Sequence, residues 1–456
     1  MSNRFRIGAA ALIALGGAST MPPADAQSLQ EALQRAYNNN PELALQRTQI
    51  RRAGEQVKQA KSGLRPTLDA TGSYTLQRND TTRFDDFNLG FPPAPGDGGD
   101  DGAGGAIFNV GVQNVVSGQL RAEQPLYTGG RVRSAVRAAE AGRGGARAAF
   151  DAAQQDIFLR TIIAYKAVNR DRAAIRIREN SVALLQEQLR AATDRFDVGV
   201  ITRTDVALAE ARLEGAIAEL SLAQAELEAS KADFEFNVGL PPTELEPINQ
   251  LPLALPQSFE EALEIARQYS PDLLAANYSV REAREGIESA RAGLRPTLSI
   301  VGIAGIQETI GDFQDTNLSA AAQARIPLYQ GGLLRSRVRD ARLAETQAKQ
   351  QVAAIDRQVL LNISRNWYAY SAARNAILAS QKQVRAAELA YQGGQDELAA
   401  GVRTTLDVLD QEQDLLEAQL AVIDAEQNAF VAAHQLLRAM GQLTPDLYGL
   451  EVTGLE

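Results

Sequence analysis

Alternating apolar and polar residues predict four β-strands in the chain. In the first strand, apolar side chains occupy every second position: Leu68, Ala70, Gly72, Tyr74 and Leu76. The same two-residue period recurs over residues 116–123 and 318–326 and gives each strand one apolar and one polar face. A strand over residues 297–307 is less regular, because Val301 and Ile303 fall on its polar face. Strands of about 10 residues cross a bilayer when they are tilted, although a soluble hairpin has the same pattern.

Proline-free stretches follow the strands and predict two very long helices, over residues 130–199 and 332–401. At 1.5 Å per residue each spans roughly 100 Å, which no compact domain requires. A shorter helix follows each stretch, and its apolar residues recur every seven positions. The heptad columns are Val206, Leu213, Leu220, Leu227 and Phe234 in the first helix, and Val408, Leu415, Val422, Ala429 and Leu436 beside Val402, Leu409, Leu416, Ile423, Phe430 and Leu437 in the second. Such columns predict coiled-coil packing against neighbouring helices.

The chain contains this pattern twice. Residues 28–68 align without a gap with residues 258–298, and both segments end in Gly-Leu-Arg-Pro-Thr-Leu. Further along, Pro125–Gly130 and Pro327–Gly332 share Pro-Leu-Tyr-x-Gly-Gly. Each copy begins with a Ser followed three residues later by a Glu, which predicts a capping box at the start of a short helix. The first copy has extra residues that include the Gly- and Asp-rich tract Pro92–Gly105, a predicted surface loop.

The first residues have the pattern of a secretory signal peptide. Arg4 and Arg6 precede the apolar segment Ile7–Gly17, and Ala24–Ala26 fits a small-x-small cleavage site. The apolar segment is shorter than the about 20 residues of a spanning helix, so a membrane anchor is the weaker alternative. The sequence therefore predicts five segments: a signal peptide at 1–26, a first repeat at 27–238, a Pro-rich linker at 239–257, a second repeat at 258–441 and a C-terminal tail at 442–456.

Composition narrows the classes of protein that fit this pattern. A formal net charge of −10 argues against nucleic acid as a partner. The absence of cysteine excludes disulfides, thiolate metal sites and an N-terminal lipid anchor. The single histidine, His434, is expected to be packed or solvated. Because no G-x-S-x-G, Walker or zinc motif is present, we expect neither enzymatic activity nor a cofactor.

Four strands are too few to close a barrel, since the smallest common closed barrels have eight. Two chains that share one barrel supply eight strands, and three chains supply twelve. The same symmetry closes the long helices into a hollow cylinder. The sequence therefore predicts a mostly α-helical protein with membrane β-structure that several chains complete together.

Through its junction motifs the chain resembles the TolC-like outer-membrane efflux proteins over essentially its whole mature length. These motifs are Asn40–Pro41, the two Gly-Leu-Arg-Pro-Thr-Leu segments, the two Pro-Leu-Tyr-x-Gly-Gly segments and Gly401–Asp410, which reads Gly-Val-Arg-Thr-Thr-Leu-Asp-Val-Leu-Asp. The resemblance implies a homotrimer in the outer membrane, with a 12-stranded β-barrel continuous with a 12-helix periplasmic α-barrel. It further implies an exit duct with a gated entrance. The duct would serve a periplasmic adaptor and an inner-membrane transporter of ABC or RND type, in type I protein secretion or multidrug efflux.

The resemblance also assigns candidate functional residues. Asp407 and Asp410 lie three apart on one helix face, and they match two acidic rings that constrict the pore at its periplasmic entrance. From the residues alone, a solvated acidic patch near a helix start is the alternative. Arg403 and Asp205 match residues that latch the entrance closed. Leu398 departs from the family pattern, because several members have a Tyr there that joins the closing network.

Two other classes of protein share some of these features. A non-conducting coiled-coil spacer that tethers the outer membrane would contain similar helices, but it would not need the polar strand faces. A periplasmic adaptor would contain one helical hairpin between β-rich domains, whereas this chain has long helices in both copies. No motif in the sequence identifies the exported substrate.

Overall fold

The computed structural model describes residues 27–83, 107–248, 255–309 and 314–452. The predicted signal peptide at 1–26 and the tract Pro92–Gly105 lie outside the described residues, as do residues 249–254 of the predicted linker and the last four residues of the predicted tail.

The chain is mostly helical, and one order of elements occurs twice: two helices, two strands, a very long helix and a shorter helix. This confirms the predicted fold class of two structural repeats. The first copy contains α1 (Leu29–Asn39), α2 (Pro41–Ser62), β1 (Thr67–Arg83), β2 (Ile107–Tyr127), α3 (Arg131–Asp197) and α4 (Arg203–Val238). The second contains α5 (Phe259–Tyr269), α6 (Pro271–Ala292), β3 (Thr297–Thr309), β4 (Gln314–Arg325), α7 (Leu333–Ala399) and α8 (Thr405–Ala439).

These elements form two compact units, and each unit draws on both copies. One unit comprises residues 49–147 and 274–354, and the other comprises the remaining described residues. Packing therefore joins the copies, and the repeat in the sequence does not correspond to a unit of packing. No helix within the described residues is both long and apolar enough to cross a bilayer.

The four strands form one antiparallel sheet in the order β1-β2-β3-β4. Their register places the predicted apolar positions on one face, since Leu120 pairs with both Ala70 and Ala304, and Ala304 pairs with Leu318. This apolar face is open in the single chain, where Leu68 is 72% and Leu318 87% exposed. The strands have 17, 21, 13 and 12 residues. Those of the first copy are thus much longer than predicted, and they end at Arg83 and begin at Ile107, on either side of the predicted loop at Pro92–Gly105.

Helix starts follow the predicted signals in part. The hydroxyl groups of Ser28 and Ser258 accept hydrogen bonds from the backbone N–H three residues on, as N-caps do. At the second of these caps the reciprocal bond differs from a capping box, because Glu261 accepts from the N–H of Gln257 rather than of Ser258. Pro41 and Pro271 are the first residues of α2 and α6. Proline has no backbone N–H, and at the first helical position an N–H would have no acceptor within the helix.

The heptad columns face neighbouring helices, as predicted. Leu213 and Phe234 in α4, and Val408 and Leu436 in α8, are buried. Val402 is the exception, because it precedes α8 and is 77% exposed. His434 is also buried on α8, with its ring 4.3 Å from that of Phe430 and its Nδ1 2.7 Å from the Phe430 carbonyl oxygen. Burial lowers the pKa of His434 to about 4.

Candidate functional site

Two tight turns of the same design connect α3 to α4 and α7 to α8. Each contains a glycine with left-handed backbone, Gly199 at φ 77° and Gly401 at φ 75°. In each turn the following N–H closes the end of the long helix: Val200 donates to Arg195 and Val402 donates to Glu397, both at 2.9 Å. A left-handed glycine of this kind ends helices because it lacks a Cβ. The two copies therefore present equivalent helical hairpins.

The predicted residues Asp205 and Asp407 occupy matching positions just after these turns. Each closes a capping box with a threonine three residues earlier. The Asp407 carboxylate accepts from the Thr404 N–H at 3.0 Å and from its hydroxyl at 2.7 Å. The Asp205 carboxylate accepts from Thr202 in the same way, at 2.9 and 2.8 Å. These hydrogen bonds lower the pKa of both carboxyls, so both remain ionised at neutral pH.

Within one chain, Arg403 binds its own hairpin and does not contact Asp205. Its guanidinium donates to the carboxylate of Glu397, near the end of α7. With the Gln411 amide oriented to satisfy its hydrogen bonds, Arg403 Nη1 also donates to the Gln411 side-chain oxygen at 2.6 Å. Within one chain Arg403 is therefore part of the α7–α8 turn, and a contact between Arg403 and Asp205 remains a prediction.

Asp410 connects the two hairpins. Arg212 on α4 donates to its carboxylate at 2.6 Å, and both side chains are partly exposed. Exposed ion pairs of this type contribute about 0–1 kcal/mol, because water screens the charges. Leu398, where the family pattern has a Tyr, is half-buried and offers its carbonyl oxygen to the N–H of Gly401 at 3.0 Å.

An apolar seam lies beside these charges and joins three helices. It consists of buried Leu185, Leu213 and Leu409, from α3, α4 and α8, with Val182, Leu189, Leu208 and Ala216 packed against them. One carboxylate, that of Glu412, is buried on α8 just beyond the seam. Within the described residues, no cluster of three or more His, Cys, Asp or Glu side chains is arranged to hold a metal ion.

Several residues of this site were not predicted from the sequence. Glu397 carried a usable signal, because it is an acidic residue six positions before Arg403 across a predicted turn. Arg212 and Glu412 carried none, since their contacts depend on how α3, α4 and α8 align with one another.

Comparison with known proteins places this arrangement in a family. The family model for outer membrane efflux proteins matches residues 32–239 and 262–442. The outer membrane efflux protein BepC of Brucella suis biovar 1 (strain 1330) is 34% identical over 447 residues, which cover 97% of this chain and 92% of BepC. The outer membrane protein TolC of Escherichia coli K12 is 25% identical over 447 residues, 94% of this chain and 85% of TolC.

A solved structure shares the fold. The crystal structure of CusC superposes with a TM-score of 0.76 at 17% sequence identity, over 91% of this chain and 92% of that chain. The family match covers both repeats except for their first few residues. The chain belongs to the outer membrane efflux protein family and is a protein of the outer membrane.

Proposed function

We propose that the chain is the exit duct of a tripartite export system, in which three copies enclose one passage from the periplasm across the outer membrane. The relatives described above are named as outer-membrane and efflux proteins and not as enzymes. The proposal needs no catalytic step, because a duct only has to provide a continuous path and control its entrance.

The observation that supports the proposal is a contact between a Gly-Leu-Arg-Pro-Thr-Leu segment and a Pro-Leu-Tyr-x-Gly-Gly segment. The chain contains two of each segment, but it forms only one of the two equivalent contacts. Arg295, in the second Gly-Leu-Arg-Pro-Thr-Leu segment, donates to the Gly129 carbonyl oxygen at 3.1 Å. Gly129 lies in the first Pro-Leu-Tyr-x-Gly-Gly segment, and a Cβ there would be 3.0 Å from the Cβ of Arg295. The matching residues are Arg65 and Gly331, and within the described part of the chain a Cβ at Gly331 would have no atom within 4 Å apart from those of its own chain neighbours.

Exposure follows the same asymmetry. Tyr127 of the first segment is 48% exposed, whereas its counterpart Tyr329 is 86% exposed. In one chain the two sequence repeats contact each other through one such surface and leave the equivalent surface open. This arrangement is suited to a head-to-tail contact with the next chain. Such contacts generate closed rings when the rotation closes. We therefore place Arg65 of one chain beside Gly331 of the next.

The sheet favours the same assembly. β1 and β4 are edge strands, and unpaired edges of this length are normally covered or paired. Pairing β4 of one chain with β1 of the next gives twelve strands in three chains, four from each. The open apolar face then contacts lipid, and the polar face, which includes Ser73 and Ser117 in a hydrogen-bonded pair at 2.8 Å, faces the passage.

At the entrance we assign roles to four residues. Asp407 and Asp410 form two rings of carboxylates, one of each from every chain, which attract cations and narrow the pore. The cap that binds Asp407 keeps its carboxylate ionised and fixes its position. Arg403 and Asp205 stabilise the closed entrance through contacts between neighbouring hairpins.

For the cargo we propose small molecules delivered by an adaptor protein and an inner-membrane transporter, because BepC is named as an efflux protein. A deletion strain tests this assignment. It should become sensitive to drugs and detergents while its secreted proteins remain normal. Loss of a secreted protein with unchanged drug tolerance would instead assign the chain to type I secretion.

A further inference from the structure

Glu412 is a carboxylate buried in the contact between the two hairpins. It is 5% exposed and lies on α8, two residues after Asp410. Gln188 on α3 donates from Nε2 to Glu412 Oε2 at 2.9 Å, and the Ser181 hydroxyl of the same helix lies 3.5 Å from Oε1. The same Gln188 amide lies 3.4 Å from the hydroxyl oxygen of Tyr391 on α7. One small polar cluster thus joins α8, α3 and α7.

The groups that face Glu412 are neutral. α3 contributes Gln188 and Ser181, and α7 contributes Tyr391, whose pKa is raised by burial and by Glu412 itself. The nearby cation on α4, Arg212, binds Asp410, two residues before Glu412 on α8. Within the part of the chain that the structure describes, no Lys, Arg or His forms an ion pair with Glu412.

A buried carboxylate without a cation is stabilised when it takes up a proton. Burial raises the pKa of Glu412 to about 7, against the opposing effect of the hydrogen bonds from Gln188 and Ser181. When the hairpins separate, the carboxyl becomes hydrated and its pKa returns towards its ordinary value. Docking is therefore strongest below that ordinary value and weakens as pH rises through about 7.

We propose that Glu412 is a proton-dependent positioning residue of the entrance. When it is protonated, the α7–α8 hairpin stays docked on α3. When it is ionised, the buried charge destabilises that contact and favours separation of the hairpins. The inference rests on the proposed duct, and it adds that the entrance opens more readily as the periplasm becomes less acidic. From pH 5.5 to 7, the ratio of docked to separated hairpins should fall by about 15-fold per chain.

Conductance of the purified full-length protein in planar bilayers, recorded from pH 5.5 to 8, tests the proposal. The open fraction of the wild-type channel should rise with pH. Glu412→Gln, which imitates the protonated acid, should keep the low open fraction of the acidic state at every pH. Asp414→Asn removes a charge from the exposed side of the same helix and should retain the wild-type profile.

A second measurement does not depend on conduction. The chain has no cysteine, so Gln186→Cys on α3 and Glu417→Cys on α8 introduce two unique sites for spin labels. Both positions are exposed. The distance between the labels should lengthen as pH rises, and Glu412→Gln should abolish the change. A pH-independent distance, or the same change with and without Glu412, would overturn the inference. A pH-dependent distance in a protein that passes no current would refute the proposed duct and leave the inference standing.

Discussion

Single residues at the entrance serve local structure and proposed function together. Asp407 completes the capping box of α8 in the same way that Asp205 completes that of α4, so the carboxylate at this position stabilises the helix start in both hairpins. Sequence spacing placed Asp407 near a helix start, whereas only the family resemblance singled out Asp205. It did not predict the partners of Arg403 and Asp410, because Gln411 and Arg212 reach these side chains only through packing between helices.

His434 should make the stability of the folded chain depend on pH. Its pKa is lowered to about 4 in the folded chain, against about 6.5 for an unfolded one, so folding favours the neutral ring. Its contribution is present above pH 6.5 and is lost as pH falls towards 4, by up to about 3 kcal/mol. His434→Phe keeps the packing against Phe430 and Tyr448. Thermal unfolding at pH 7.5 and 5 should show that the variant loses less stability on acidification. An equal loss in both proteins would show that His434 is not the group that titrates.

At the scale of elements, the hydrophobic pattern predicted the type and order of the helices and strands well. In α7, Val359, Ile363 and Tyr370 follow one another at intervals of four and seven residues, which puts them on one helical face, and all three are buried. The pattern failed at element ends. Val402 continues a heptad column in sequence but lies in a turn, and β1 runs to Arg83 although its clear alternation stops earlier.

Two glycines with the same backbone angle provide a matched stability test. Gly401 and Gly441 have φ values of 75° and 76°. Among the residues that the structure describes, only the chain neighbours of Gly401 would lie within 4 Å of a Cβ there, whereas a Cβ at Gly441 would be 2.3 Å from the Tyr269 carbonyl oxygen. Gly401→Ala should cost about 1–2 kcal/mol, from the backbone alone. Gly441→Ala should cost about 2–5 kcal/mol, since the clash adds to this strain. Denaturant unfolding of both variants measures the difference, and equal losses would contradict the close contact at Gly441.

The number of chains in the assembly was predicted mainly from the family resemblance. Strand number showed that one chain is incomplete, but two chains and three chains satisfied that argument equally. The structure adds a specific open surface, at Gly331, that matches the contact between Arg295 and Gly129. The packing of the described residues does not identify the exported substrate, because a duct recognises little of what passes through it.

Disulfide formation between chains tests the proposed ring. Arg65→Cys with Gly331→Cys should link neighbouring chains, because in the matched pair of one chain a Cβ at Gly129 would be 3.0 Å from the Cβ of Arg295, and a small outward shift brings such a pair to the about 3.8 Å of a disulfide. Non-reducing electrophoresis should show linked trimers. The control is Arg295→Cys with Gly129→Cys, which should form a disulfide within one chain and leave its mass unchanged. If the first pair also formed only within single chains, the head-to-tail contact would be wrong.

The most direct test of the duct is single-channel recording from the purified trimer in planar bilayers. The duct should show stable conductance with a preference for cations. Asp407→Asn combined with Asp410→Asn should remove most of that preference without preventing insertion or assembly. A trimer that inserts into the bilayer and passes no ions under any condition would show that the chain does not form a duct.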